Sequence, residues 1–430
     1  MKRVYIETYG CQMNEYDSEI VKTILRQSGY HITETPDNAD ILLMNTCSVR
    51  ENANRKIVAR VHEFRHAFQE NDKQIGILGC MVTNLGEDLL DLPINFMAGP
   101  DSYKFLPGLI EKAKKDKLVH KKLSRTETYA DIYPTRVDGI NAWIAVMRGC
   151  NNFCSFCVVP YARGRERSRT IPDIVAETEQ LVQEGFIQVT LLGQNVNSYD
   201  DQGKNFADLL QAVSQVRGLQ RIRFTSPHPK DFPLELIEVI ADNAKICNHI
   251  HLPLQAGSDR ILRLMRRTYT QKQYMALVDK IRSKMPNVTL STDIIVGFPT
   301  ETWQDYLQTE AVVNTVGFDS AFIFKYSERK GTLAAKKYAD DVPEEEKTRR
   351  IVRLNDIQKN ISLKKNLAHV NDIQTIIIEQ LGTKKSPDDC QGRNQGNKLV
   401  ILPGKHHVGE IVQAKITDAT AHVLKAIPAQ

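Results

Sequence analysis

Three thiols crowd together at Cys150, Cys154 and Cys157 in the segment GCNNFCSFC, at spacings of four and three. Zinc sites favour paired C-x-x-C units, of which there is only one here, or a His to complete a tetrahedron, and no His stands nearby. A nucleophilic cysteine needs one thiol beside a base, not three in a cluster. The pattern favours an iron-sulfur cubane held by three thiolates. One iron is then left to a donor from outside the chain.

Three further thiols, Cys11, Cys47 and Cys80, lie 36 and 33 residues apart, each closing an apolar run: RVYIETYG, ADILLMNTC and KQIGILGC. Helical patterns, from Ser18 to Ser28 and from Glu51 to Gln69, separate the runs. Alternation of this kind predicts an open, largely parallel α/β sheet. Ligands of such sheets sit beyond the carboxyl ends of the strands, so three cysteines there can form a three-thiolate metal site. They also read as three unrelated, half-buried small residues.

The alternation resumes at Trp143 and runs through six units, with strands WIAVMRGC, IQVTLLGQN, RIRFTSP, HIHLPL, VTLSTDIIVGFP and SAFIFKYS. Six β/α units predict a partial barrel whose active face lies at the carboxyl ends of its strands, and the GCNNFCSFC loop follows the first of them. A charged helix beginning near PEEEKTRRIV closes this region, with Pro and three Glu where a helix start favours them. The final stretch alternates apolar and polar residues in TIIIEQLG, KLVILP and EIVQAKITDATAHVLKAI, which predicts a small β-barrel. The expected fold class is therefore α/β: an N-terminal open sheet domain (1–119), a linker without a core face (120–135), a partial (β/α)6 barrel (136–366) and a small C-terminal β-barrel (369–430).

The 430 residues are too many for one ordinary core. A formal charge of +5 is too small to establish nucleic-acid binding. No apolar run reaches spanning length and the N-terminus turns polar early, so a cytoplasmic chain without membrane contact is expected, its eight cysteines reduced.

The C-x-x-x-C-x-x-C spacing with Phe156 before the last thiol resembles the radical S-adenosylmethionine enzymes. Together with GCQMNEYDS, NTCSVRENA, LGC, VVPYARGRERSR, LLGQNVNSY, HLPLQAGSDRIL, DIIVGFPTET and GRNQGNKLV, the whole chain resembles the methylthiotransferases of that superfamily. The resemblance implies a cysteine-bearing domain, a radical barrel and a C-terminal RNA-binding TRAM barrel. It implies two [4Fe-4S] clusters, one on Cys150, Cys154 and Cys157 and an auxiliary one on Cys11, Cys47 and Cys80, with S-adenosyl-L-methionine on the open iron of the first. The implied substrate is tRNA bearing N6-isopentenyladenosine next to the anticodon. That base would become its 2-methylthio derivative by C2 hydrogen abstraction, sulfur insertion and S-methylation. Sibling enzymes act on threonylcarbamoyl-adenosine in tRNA or on a ribosomal-protein aspartate. A non-catalytic iron-sulfur RNA-binding protein is a reading from another class. The expected partners are an electron donor such as flavodoxin or ferredoxin, and the expected state is a monomer.

By the same resemblance Gln194 and Asn195 would meet the cofactor's amino group, and Phe156, Ile295 and Val296 would pack on its adenine. The arginine run Arg163, Arg165, Arg167 and Arg169 is expected to meet phosphate or the cofactor carboxylate, because Arg binds both oxyanions bidentately. In the C-terminal barrel, Arg393, Asn394, Asn397 and Lys398 form a polar loop suited to an RNA backbone, with His406 and His407 beside it. Cys247 is expected to be buried and inert, and Cys390 to lie idle in a polar loop.

Overall fold

The computed structural model describes residues 1–48, 51–67, 73–113, 117–136, 139–383 and 386–429. Strands β1 (Arg3–Thr8), β2 (His31–Ile32), β3 (Ile41–Thr46), β4 (Gln74–Gly79), β5 (Phe96–Ala98) and β6 (Leu118–His120) form one sheet in the order β2-β1-β3-β4-β5-β6. Every pairing in it is parallel. Central strands β3 and β4 are buried along their whole length, which is why they read as unbroken apolar runs. Helices α1 (Gln12–Gln27), α2 (Glu51–Ala67), α3 (Cys80–Leu85) and α4 (Leu106–Lys112) cover the sheet. Helix α1 starts well before Ser18, with Cys11 as its N-cap. The expected end of α2 at Gln69 lies outside the described residues.

The stretch expected as a linker does offer a core face. Tyr129 and Ile132 are buried in the N-terminal core, and the Tyr129 hydroxyl donates to the Pro100 carbonyl at 3.0 Å. Isolated apolar residues among Lys, Ser and Thr give no periodicity by which to foresee this.

Six of the next strands match the six expected runs: β7 (Asn141–Ala145), β10 (Gln188–Leu192), β11 (Arg221–Phe224), β12 (His249–His251), β13 (Thr289–Val296) and β14 (Ser320–Lys325). The short pair β8 (Met147–Arg148) and β9 (Arg167–Ser168) lies antiparallel after β7. Two parallel sheets, β11-β10-β7 and β12-β13-β14, are continued toward one another by a parallel bridge between Ile222 and Ile246. Helices α5 (Val159–Arg163), α6 (Ile171–Gln183), α7 (Phe206–Ser214), α8 (Leu234–Asp242), α9 (Asp259–Leu264), α10 (Gln271–Lys284), α11 (Trp303–Val316), α12 (Leu333–Lys337) and α13 (Glu344–Leu367) complete this part. Capping boxes at Asn205/Asp208, Thr270/Gln273 and Thr302/Asp305 start α7, α10 and α11. One strand face, carrying Ala142, Ile144, Val189, Leu191, Ile222, Leu290 and Ile294, packs with these helices into the main core. The opposite face is concave and in part polar.

That concave face is closed from two sides. Trp143, Ala145 and Leu192 join the core of the N-terminal domain, against which α1 lies. The closed C-terminal barrel β15-β16-β17-β19-β18, made of β15 (Ile373–Leu381), β16 (Asp389–Arg393), β17 (Leu399–Pro403), β18 (Ile411–Ala419) and β19 (Leu424–Pro428), sits at the amino ends of the strands. Arg221 donates to the carbonyls of Arg393 and Thr375 at 2.6 and 2.7 Å, and Arg223 to that of Asn394 at 2.8 Å. Thr289 Oγ1 donates to the Gly396 carbonyl at 2.7 Å, and a Cβ on Gly396 would meet Thr289 at 2.7 Å. The 393–398 loop is thus a plug seated on the barrel floor.

Candidate active site

Both cysteine sets lie at strand ends, and glycine makes the turns possible. Gly10 and Gly149, which precede Cys11 and Cys150, hold φ of +130° and +79°. A Cβ on Gly10 would stand 2.6 Å from Cβ of Cys47, and one on Gly149 only 2.0 Å from the Arg165 carbonyl oxygen. No side chain fits either place, so these backbones come close enough for the following thiols to converge.

Cys11, Cys47 and Cys80 cap β1, β3 and β4 in neighbouring positions of one sheet. Asn14 Oδ1 accepts from Cys11 Sγ at 3.6 Å and from Arg163 Nη2 at 3.2 Å, while Arg163 Nε donates to Cys80 Sγ at 3.0 Å. The hydrogen bond from Cys47, aided by the Arg163 charge, holds the Cys11 thiol well below its ordinary value despite burial. Burial raises Cys80, with Arg163 opposing it. Among the described residues no three His, Cys, Asp or Glu side chains are gathered to grip one metal ion. Cubane thiolates have no need to be, since each takes its own iron. Thr83 Oγ1, Ser48 Oγ and Asn45 Oδ1 are buried without partners in the same region of the chain. Three thiols at adjoining strand ends, with the unused hydroxyls of Ser48 and Thr83 near them in sequence as donors to sulfur, fit a bound inorganic group.

Cys150, Cys154 and Cys157 occupy one loop after β7 and β8. Its shape is set by backbone bonds: Cys150 N–H to the Gly164 carbonyl, Cys157 N–H to that of Cys154, and Ser155 N–H to that of Met265. Arg267 Nη1 donates to Cys154 Sγ at 3.4 Å. Burial pushes Cys150 up to about 11 and Cys157 up to about 12. Such buried sulfurs become thiolates readily only when a metal centre takes the charge.

At the end of β10, Asn195 is buried; its Nδ2 donates to Asp231 at 3.1 Å while Oδ1 has no partner, and Gln194 Oε1 is likewise buried and unpartnered. Two unused acceptors suit an ammonium group. Phe156 is half-buried against the barrel core. Val296 faces the helices within that core, so its side chain is not open to an adenine ring; Ile295, on the alternate face with Asp293, is partly open.

The arginine run is placed differently from the phosphate-facing expectation. Arg163 and Arg167 are buried and paired with Asp17 at 2.8 Å and Asp101 at 3.0 Å, and Arg169 with Glu177 at 2.5 Å. Enclosed charges that already hold carboxylates cannot also hold RNA phosphate. Arg165 alone of the four is exposed, its guanidinium 4.3 Å from the Phe153 ring centroid. Lys398 is also withdrawn, its side chain 8% exposed and bound to Asp319 and Asn366 at 2.8 Å. Arg393 pairs with Glu379 at 3.2 Å and donates to the Asn397 carbonyl, and Asn394 is buried. His406 and His407 both meet Glu410. Cys247 is buried as expected, and Cys390 lies in β16 inside the small barrel's core, not in a loop.

Sequence reasoning passed over the carboxylate at the centre of the domain contact. Asp17 is fully buried and accepts from Arg148 at 2.5 Å, Arg163 at 2.8 Å and the Tyr103 hydroxyl at 3.2 Å. Its signal was present: Asp17 interrupts the apolar stripe Met13, Ile20 and Ile24 of α1. Also unforeseen is the concave-face set His251, Ser291 and Asp293, joined at 2.9 and 3.1 Å, with Phe322 and Phe324 beside it, 55% and 48% exposed on β14.

Family models match the chain in three places: the uncharacterized protein family UPF0004 at residues 3–99, the radical SAM superfamily at 144–312 and the TRAM domain at 368–429. The fold is shared with a radical S-adenosylmethionine methyltransferase, TsrM, of Kitasatospora setae, with a TM-score of 0.60 at 14% identity over 78% of this chain and 77% of that one. These define a radical S-adenosylmethionine enzyme, a class whose cofactors are S-adenosylmethionine and a [4Fe-4S] cluster. The chain is 43% identical to the tRNA-2-methylthio-N(6)-dimethylallyladenosine synthase of Phocaeicola vulgatus, covering 99% of this chain and 95% of that protein. It is 45% identical to the Porphyromonas gingivalis synthase, over 98% and 94%, and 46% identical to that of Chloroherpeton thalassium, over 98% and 95%. The chain belongs to the tRNA-2-methylthio-N(6)-dimethylallyladenosine synthase family. Among the described residues no helix is long and apolar enough to cross a membrane.

Proposed function

We propose that this chain is a tRNA methylthiotransferase, converting N6-isopentenyladenosine next to the anticodon to its 2-methylthio derivative. The observation that carries the reading is the pair of three-cysteine sites, one at the strand ends of each α/β unit, linked through Arg163. In the proposal Cys150, Cys154 and Cys157 hold the radical cluster, and Cys11, Cys47 and Cys80 hold a second [4Fe-4S] cluster. When bound, these groups and S-adenosylmethionine supply a carbon-centred radical and the sulfur, which C2 of a purine requires because its hydrogen is not acidic.

The chain's own residues then bind and orient. Gln194 and Asn195 offer their unused acceptors to the ammonium of S-adenosylmethionine, and Phe156 and Ile295 offer apolar surface to its adenine. Phe322 and Phe324 give the substrate base a stacking surface, with the His251 and Asp293 pair at its edge. The N-terminal domain over the concave face keeps water from the reacting carbon. The small C-terminal barrel is a TRAM domain, which suits RNA. We propose division of the chain at 1–119, 136–366 and 369–430, with 120–135 packed on the first through Tyr129 and Ile132, a monomeric cytoplasmic protein, and reduction by a flavodoxin or ferredoxin.

Nucleoside mass spectrometry of tRNA from a strain lacking this chain tests the substrate. Loss of 2-methylthio-N6-isopentenyladenosine with its precursor accumulating is expected. Unchanged levels of that nucleoside would refute the assignment and favour a sibling activity.

A further inference from the structure

We infer that Arg163 is a positioning residue that ties the Cys11, Cys47 and Cys80 centre to the radical loop and raises that centre's reduction potential. The inference rests on the two-cluster reading above. Arg163 ends α5, and the carbonyl of the next residue, Gly164, accepts the Cys150 N–H at 3.1 Å. One short backbone segment therefore holds the radical loop while its side chain crosses into the other domain.

There the guanidinium spreads over three groups. Nε donates to Cys80 Sγ at 3.0 Å, and Nη2 to Asn14 Oδ1 at 3.2 Å and Asp17 Oδ2 at 2.8 Å. Asn14 Oδ1 accepts from the Cys11 thiol, a bond that a proton-free cluster thiolate cannot make, so Cys80 is the ligand that Arg163 reaches directly. Nη1 is buried and has no partner, an unusual state for an arginine that is 3% exposed. A purely structural ion pair with Asp17 would not need the Nε contact, because Nη2 alone makes it. A fixed positive charge and an N–H···S bond stabilise the more negative, reduced state of a thiolate-held cluster, which moves its potential upward. Arg267 stands to Cys154 in the other loop as Arg163 stands to Cys80, at the longer distance of 3.4 Å.

The test is an EPR-monitored redox titration of the full-length chain with Cys150, Cys154 and Cys157 changed to Ala, so that one centre remains. Adding Arg163→Met should shift the reduction equilibrium at least tenfold toward the oxidised form, about 59 mV for one electron. Arg163→Lys, which keeps the charge but not the fork, should fall between. An unmoved potential in a loaded Arg163→Met chain overturns the inference and leaves the two-cluster reading standing. Should Arg163→Met fail to load, Arg163→Gln, which also lacks the charge, is titrated in its place, and an unmoved potential there overturns it equally. A triple-Ala chain that takes up no iron overturns the two-cluster reading itself, and this inference with it.

Discussion

Changing Asp17 to Ala should loosen the N-terminal domain from the barrel more than any other single carboxylate removal. Its Oδ1 holds Arg148 and its Oδ2 holds Arg163, both guanidinia being buried. Nε and Nη1 of Arg148 already lack partners, so without Asp17 this charge keeps the face of Tyr129, 4.6 Å away, and an unbonded attraction to Asp101, which Arg167 already holds. Removing one partner of a buried pair costs about 3–5 kcal/mol, because a charge is left in a medium that cannot solvate it. That is roughly two to four decades in the docking equilibrium, at about 1.4 kcal/mol per decade. Trp143 lies in the contact and Trp303 does not, so denaturant titration followed by fluorescence in a Trp303→Phe background reads this transition. The loss should persist in 1 M salt, since about 3 Å of Debye length screens exposed pairs and not enclosed ones. A loss under about 1 kcal/mol, or one that salt erases, would show the cluster of charges to be solvated and the buried-pair argument wrong.

Arg165→Ala should lower the salt slope of tRNA binding by about one phosphate contact, whereas Lys398→Ala should leave the slope unchanged, since Lys398 is held by Asp319; filter binding across a salt series separates them. His249 is pushed down to about 3 by burial, with Arg223 adding to it. Its folded value is thus below its unfolded value of about 6.5, so the unfolded chain binds the extra proton. Stability from this residue is complete above about pH 6.5 and drains as pH falls toward 3, at up to about 1.4 kcal/mol per pH unit; melting temperatures from pH 7 to pH 5 should fall less steeply in His249→Gln.

The parallel strands were plain in the sequence because β3, β4, β10 and β13 are enclosed on both faces or nearly so, which demands unbroken apolar runs. Strands β2, β5 and β6 were not, being two or three residues long. In β16 the inward residues are Cys390 and Gly392, too inconspicuous among polar neighbours to mark a strand. The cysteine sets stood out because thiols are rare, because Cys11, Cys47 and Cys80 recur at the spacing of the β/α unit while Cys150, Cys154 and Cys157 crowd into one loop, and because a glycine precedes Cys11, Cys80 and Cys150. The arginines misled for a physical reason. A guanidinium looks the same in sequence whether it meets phosphate or carboxylate, and the partners of Arg163 and Arg167 lie 146 and 66 residues away. The 393–398 loop has the polar composition of a solvated turn, yet its carbonyls satisfy arginines inside the barrel floor.

The most direct measurement is the iron content of the anaerobically reconstituted chain beside its Cys11→Ala, Cys47→Ala, Cys80→Ala variant. Two incompletely ligated cubanes predict about eight irons in the parent and about four in the variant, which should still cleave S-adenosylmethionine but transfer no sulfur to tRNA. A parent with about four irons, or a variant that keeps all eight, would contradict the account.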